Sequence, residues 1–470
     1  MKTHLKRILC LALTLAIVFT TTAVCYADSE KCSCKNIPVV HVDGIGGALF
    51  LQNEDGSREQ VFPPETDSVV KALLRILPFL PLASFSGDWS IFERALSLSA
   101  GQLFEVLRCD PDGNSVYNIQ PNPCDEVKRS THNNPDKRYN FSYDWRLDPL
   151  KTAAELDKYI DKVRSVTGHD KVILESYSEG GEICLAYIGA YGGGKIEKYI
   201  TRCAAFQGVS VVGYIFTGKM RVDAEQTVNF LSTIIPTMLG ENETLTNTVK
   251  VLKVTGILSA LCKLANRFIE GNFDGFFEHF ALPYFGYMLG VVDFTPDEFY
   301  SEVRTKYAEK PYHKVYLEKM DNYHEIQKNA KTVLTEAVEG GMKICIVSNY
   351  GCYVMPFVGN NAYQSDGLID SAKSSGGVTF APVGQTLGAN YTQKVNDGHN
   401  HLAPDGSADA STCMFPEYTW LVNGFCHWNS PSDLMKWLIR YDGQPTVFTD
   451  SRYPQFSLGN PNDSTTAPMK

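Results

Sequence analysis

Hydrophobic positions recur along this chain with two spacings. Short runs rich in β-branched and aromatic residues occupy residues 38–42, 139–143, 171–176 and 198–206. Runs of that length, bounded by turn residues, predict strands. Between them the period lengthens. Leu150, Ala153, Leu156, Ile160 and Val163 share one face of a helix expected over 150–166, and residues 180–191 predict another. Strands alternating with helices imply an α/β fold: a mostly parallel sheet with helices on both faces.

The alternation stops at residue 207. Residues 208–341 read as a helical insertion. Val254, Ile257, Leu258, Leu261, Leu264 and Phe268 form an apolar stripe, with Lys253, Lys263 and Arg267 off it. Aromatics crowd residues 273–294, either packing the insertion's own core or lining an apolar acyl groove. The strand pattern resumes at Met342–Ser348, and a late helix is expected over Pro431–Tyr441. The expected organisation is a leader over 1–27, a core in two parts (28–207 and 342–458), a cap or lid over 208–341, and a flexible tail over 459–470.

The leader changes the picture of location. Lys2, Lys6 and Arg7 precede an apolar run from Ile8 to Phe19, and small residues end at Ala27. This is the pattern of a secretory signal peptide, which implies a secreted or extracytoplasmic protein; an uncleaved anchor is the competing reading. Cleavage would take the formal charge from −10 to −13. An acidic, aromatic-rich exported chain is a poor nucleic-acid partner. Eleven of the 13 cysteines lie beyond the leader. Cys109 and Cys124 bracket a turn-rich loop and are a reasonable disulfide, with Cys32–Cys34, Cys345–Cys352 and Cys413–Cys426 as further pairs. Cys184 and Cys203 sit in apolar segments and read as core. No Cys/His spacing suggests structural zinc, so no metal and no cofactor is expected.

Candidate chemistry begins at Ser178. Lys171–Gly181 reads as a strand running into a small-x-Ser-x-Gly turn, the pattern of a nucleophile elbow. A serine nucleophile needs a base, and the base needs an orienting acid. In the order Ser, acid, His, the acid is sought after the insertion, where Asp366-Gly367 forms a turn. The base is sought later still. His427 precedes the last helix, with His399 and His401 as alternatives. The latter two, with Asp397, also make a weak metal pattern. The remaining histidines lie elsewhere: His4 in the leader, His41 on the first strand, His132 and His169 before the serine, and His279, His313 and His324 in the insertion. An oxyanion hole needs two backbone N–H groups. Glu179, after the serine, supplies one, and Ile45 in the Gly44-Ile45-Gly46 turn supplies the other. The Glu179 side chain is expected to point to solvent or to pair with an arginine.

Four segments carry a family resemblance. Pro38–Gly47 resembles the strand and oxyanion turn of the lecithin–cholesterol acyltransferase-like branch of the α/β hydrolases, with Asp43 where Pro or His is usual. Tyr143-Asp144-Trp145-Arg146-Leu147 matches that branch's Tyr-Asp-Trp-Arg signature unchanged. Tyr177-Ser178-Glu179-Gly180-Gly181 is similar to its His-Ser-Met/Gln-Gly-Gly, and Ser365–Ile369 to the turn bearing the catalytic Asp of bacterial lipases. The resemblance covers roughly residues 36–208 and 342–445. It implies an α/β-hydrolase fold and a serine lipase, esterase, phospholipase or acyltransferase acting through Ser178, Asp366 and His427. The substrate would be a small-molecule or lipid ester, with transient contact to a lipid interface. Asp144 and Arg146 read as a structural ion pair near the site. Two rivals stay open: a hydrolase fold kept as a binding module, and an amidase or peptidase with the same triad. Oligomeric state is not legible.

Overall fold

The computed structural model describes residues 31–470 apart from 46, 133, 240–242 and 360–362. The leader expected over 1–27 lies outside the described residues. Among them no helix is long and apolar enough to cross a membrane.

Eight strands build the main sheet: β1 (Val39–Val42), β2 (Arg138–Phe141), β3 (Val172–Tyr177), β4 (Ile196–Arg202), β5 (Lys343–Tyr350), β6 (Thr419–Asn423), β7 (Phe456–Asn460) and β8 (Thr465–Pro468). Their order across the sheet is β8-β7-β6-β5-β4-β3-β1-β2. Every pairing is parallel except β7 with β8. Side chains alternate across the pleat. Val40, Val42, Leu174, Ile344 and Ile346 face one core, which includes helices α1 (Pro149–Thr167) and α2 (Gly180–Tyr191). Val39, Ile173, Ile200, Cys345 and Val347 face the other, closed by α3 (Ser432–Arg440) through Leu434, Met435, Leu438 and Ile439. The sheet is thus buried on both faces, as parallel sheets require.

Local signals account for the helix ends. Asp148 caps α1 by accepting from the Leu150 N–H at 2.9 Å, Pro149 occupies its first turn, and Gly168 ends it in the left-handed region at φ +74°. The expected face of Ala153, Leu156, Ile160 and Val163 is buried.

The segment between β4 and β5 is helical, and its aromatics pack mainly on one another. Phe268 meets Phe276 edge-on, and Phe276 packs on Phe280. A part of this layer was not legible: residues 66–104 form three helices, and Leu80, Phe92 and Leu96 join the same core as Phe268 and Phe276. They belong to that layer because the chain leaves the sheet after β1 and returns only at β2.

Two expectations are corrected. The tail is not loose. Residues 465–468 form edge strand β8, hydrogen-bonded to β7 through a turn closed by Ser464 N–H to the Asn460 carbonyl at 3.0 Å. Thr465 and Thr466 suit a strand, and Thr466 also reaches Asp433 of α3. The cysteine pairs also differ. Cys352 faces Cys426, with sulfurs 3.0 Å apart, while Cys345 points into the α3 core. The Cys124 sulfur accepts from the Ser142 N–H, and Cys413 lies against Thr419.

Candidate functional site

β3 ends at Tyr177 and α2 begins at Gly180, leaving two residues to reverse the chain. Ser178 takes φ +57°, in the left-handed region. A non-glycine residue there costs about 1–3 kcal/mol and needs support from its surroundings. Close packing supplies it. A Cβ on Gly180 would lie 2.1 Å from the Val42 carbonyl oxygen, and one on Gly181 would lie 2.3 Å from the Ala204 Cβ. One on Gly44, in the turn after β1, would lie 2.4 Å from the Ser178 Cβ. The small residues around Ser178 are therefore dictated by contact.

The turns after β5 and β6 bring the other groups to the same edge of the sheet. Ser365–Asp370 forms a tight turn in which Asp366 Oδ1 accepts from the N–H groups of Leu368 at 3.0 Å and Ile369 at 2.8 Å. Asp366 Oδ2 pairs with His427 Nδ1 at 2.8 Å, and His427 Nε2 lies 2.9 Å from Ser178 Oγ. The His427 N–H also donates to the Asp366 carbonyl at 2.7 Å. Asp366 and His427 are buried, while Ser178 is half-buried. The carboxylate is desolvated and fixed by donors, and the imidazole is aimed at the Ser178 hydroxyl.

The loop of His427 is clamped by residues that sequence reasoning did not single out for this task. The Tyr177 hydroxyl donates to the His427 carbonyl at 3.0 Å, with the two rings 4.9 Å apart. Arg202 lies over the Tyr177 ring at 3.7 Å and donates to the same carbonyl and to that of Asn429. Asn349 donates to the carbonyls of Cys426 and Asn429. The departure at residue 177 thus has a physical role.

The Tyr-Asp-Trp-Arg segment follows β2. Its Tyr143 hydroxyl donates to the Asp43 carbonyl at 2.7 Å, propping the turn after β1. Asp43 Oδ1 accepts from the Gly44 N–H. Ile45 is the next residue and is exposed; Gly46 lies outside the described residues. Asp144 and Arg146 form a buried two-pronged ion pair at 2.9 and 2.5 Å. Arg146 also donates to the Leu107 carbonyl and the Ser115 hydroxyl, which makes the pair structural.

Glu179 corrects the sequence reading. Its side chain neither reaches solvent nor meets an arginine. It is fully buried, and neither carboxyl oxygen has a hydrogen-bond partner. The adjacent Tyr143 hydroxyl is committed to Asp43. Burial pushes the Glu179 carboxyl well above the usual carboxylate range. Glu182 and Asp293 are buried and unpartnered in the same way. Burial raises each, and a neighbouring acid adds to it: Asp293 for Glu182, Asp148 for Asp293. Glu182 stands beside Ile183-Cys184-Leu185 in the sequence, and a charged residue opening so apolar a helix was the available signal.

The alternative bases are engaged elsewhere. His401 is buried between Asp397 at 2.9 Å and Gln455 at 2.8 Å, and His399 packs on Phe448.

No family model and no curated protein matches the chain. Among solved structures, that of the Tle4-Tli4 complex is similar over 38% of this chain and 48% of the other, at 14% identity and a TM-score of 0.20. The aligned part is about half of that chain's length, and a likeness this low carries no argument.

Proposed function

We propose that this chain is a serine ester hydrolase or acyltransferase of the α/β-hydrolase fold. The observation that carries the reading is the continuous line Ser178 Oγ, His427, Asp366 at 2.9 and 2.8 Å, raised on a turn where Ser178 holds φ +57°. Its position beyond the carboxyl ends of parallel strands is where open α/β sheets take ligands.

In this mechanism His427 Nε2 removes the Ser178 proton as Oγ attacks an acyl ester carbonyl. Asp366 holds Nδ1 protonated and stabilises the imidazolium that forms. The oxyanion is bound by the Glu179 N–H, at the positive end of α2, and by the Ile45 N–H. A neutral Glu179 side chain does not repel that oxyanion, which its burial accounts for. His427 then protonates the leaving alcohol and activates water, or a second alcohol, to release the acyl group from Ser178.

A lipid-like ester suits the helical layer. Leu74, Leu82, Phe85 and Leu98 are exposed on its first three helices, Phe85 at 94%. Large exposed apolar side chains of this kind suit contact with a lipid interface.

The test is hydrolysis of short- and long-chain p-nitrophenyl esters, beside Ser178→Ala. The substitution is expected to lower kcat/KM about 10⁴-fold or more. A fluorophosphonate is expected to label Ser178 and no other residue. Equal rates in both proteins would sink the proposal.

A further inference from the structure

Four side chains from three distant parts of the sequence meet at the opposite edge of the sheet. Cys32 and Cys34 lie ahead of β1. His132 lies ahead of β2, and His169 ahead of β3, directly after the Gly168 that ends α1. Their ligating atoms, two Sγ and two ring nitrogens, all lie within 4.8 Å of one another. Cys32 Sγ is 3.1 Å from His132 Nε2, and Cys34 Sγ is 3.5 Å from His169 Nε2. The two imidazole rings meet edge-on with centroids 5.3 Å apart.

We propose that Cys32, Cys34, His132 and His169 form a structural zinc site that fastens the segment ahead of β1 to the amino-terminal edge of the sheet. Zn–S bonds near 2.3 Å and Zn–N bonds near 2.0 Å place the donors of a tetrahedron about 3.3–3.8 Å apart. Both observed Cys–His separations are close to that spacing. The ligand set is the one zinc takes in closed sites, with no position left for water.

The surroundings suit a metal ligand rather than four independent side chains. His132 Nδ1 contacts the Arg129 carbonyl. A carbonyl can only accept, so Nδ1 carries the proton and Nε2 presents its lone pair toward Cys32. This is the outer hydrogen bond that fixes the tautomer of a metal-bound histidine. The Cys32 N–H donates to the Gly168 carbonyl at 2.8 Å, holding the Cys-x-Cys segment against the turn that carries His169.

Binding is balanced in charge. Each thiol releases one proton to solvent, and two thiolates neutralise Zn²⁺ while the histidines stay neutral. The site is separate from Ser178, since its ligands precede β1, β2 and β3 whereas Ser178, Asp366 and His427 follow β3, β5 and β6. Its role is to hold the fold.

The experiment is metal analysis of the purified full-length chain, grown with zinc and desalted without chelator. One zinc per chain is expected, released by a thiol-blocking mercurial. Replacing zinc with Co²⁺ is expected to give the intense visible bands of a tetrahedral thiolate site and a sulfur-to-metal charge-transfer band. His169→Ala is expected to lose the metal and lower Tm, whereas His169→Cys keeps one metal per chain and shifts the cobalt bands to the red. Cys32→Ser is expected to remove the charge-transfer intensity of one thiolate. Ester hydrolysis below the melting point is expected to be unchanged in His169→Cys. Zinc content near zero would overturn the proposal. So would one zinc per chain surviving His169→Ala, or a Cys32–Cys34 disulfide in the native protein by non-reducing peptide mapping.

Discussion

At the scale of single residues, the positions that depart from the usual pattern around Ser178 are explained by what they touch. Tyr177 donates to the His427 carbonyl and packs against its ring, under Arg202. Tyr177→Phe keeps the ring and loses the donor. One such bond is worth about 0.5–1.5 kcal/mol, so kcat is expected to fall about 2- to 10-fold with KM little changed. Steady-state kinetics on a soluble ester checks this, and an unchanged kcat would remove Tyr177 as a positioning residue. Glu179 makes a prediction in pH. Burial raises its folded pKa, so the native state keeps a proton that the unfolded chain releases. Stability is therefore complete below the ordinary carboxylate range and is lost as pH rises from about 4.5 toward the raised folded value. Glu179→Gln removes that term. Thermal melts are expected to coincide at pH 4 and to separate at pH 8, with the variant higher by about 2 °C or more.

At the scale of elements, the strand–turn–helix around Ser178 is set by backbone approach. Val42 at the end of β1 leaves no room for a side chain at Gly180. Gly180→Ala is expected to lose about 3 kcal/mol or more in urea unfolding, the upper end for overpacking. A Cβ on Gly47 would have nothing within 4 Å, so Gly47→Ala serves as a near-neutral control. Equal losses for both would mean that close approach does not govern the elbow. These glycines and the flanking strand were legible because tight turns demand small residues. The residues that hold the His427 loop were not, because Arg202 and Asn349 reach it from β4 and β5, across more than 70 residues of sequence.

At the scale of the whole molecule, the Asp144–Arg146 pair joins parts of the chain that no single element connects. Arg146 reaches Leu107 and Ser115 before β2, and its carbonyl accepts from the Gly290 N–H of the helical layer at 3.3 Å. Arg146→Met would leave Asp144 buried without its counter-charge. The expected loss is about 3–5 kcal/mol, read from urea unfolding. A loss below about 1 kcal/mol would place the pair among solvent-screened contacts.

The sequence by itself determined the alternation of strand and helix, the α1 and α2 boundaries, the Ser178 turn and the order of Ser178, Asp366 and His427. Each of these rests on local periodicity, turn chemistry or chain order. Only the tertiary structure decided the rest. It placed Asp366 and His427 within hydrogen-bond reach of each other and of Ser178. It buried Glu179 without a partner, drew residues 66–104 into the helical layer, and turned residues 465–468 into an edge strand. It also gathered Cys32, Cys34, His132 and His169, whose spacing along the chain carries no metal pattern. The physical reason lies in the sheet: the contacts of the site, the layer and the Cys/His cluster join residues tens to hundreds of positions apart, and β8, only five to eleven residues from its partners, becomes an edge strand only once β7 has its place in the sheet.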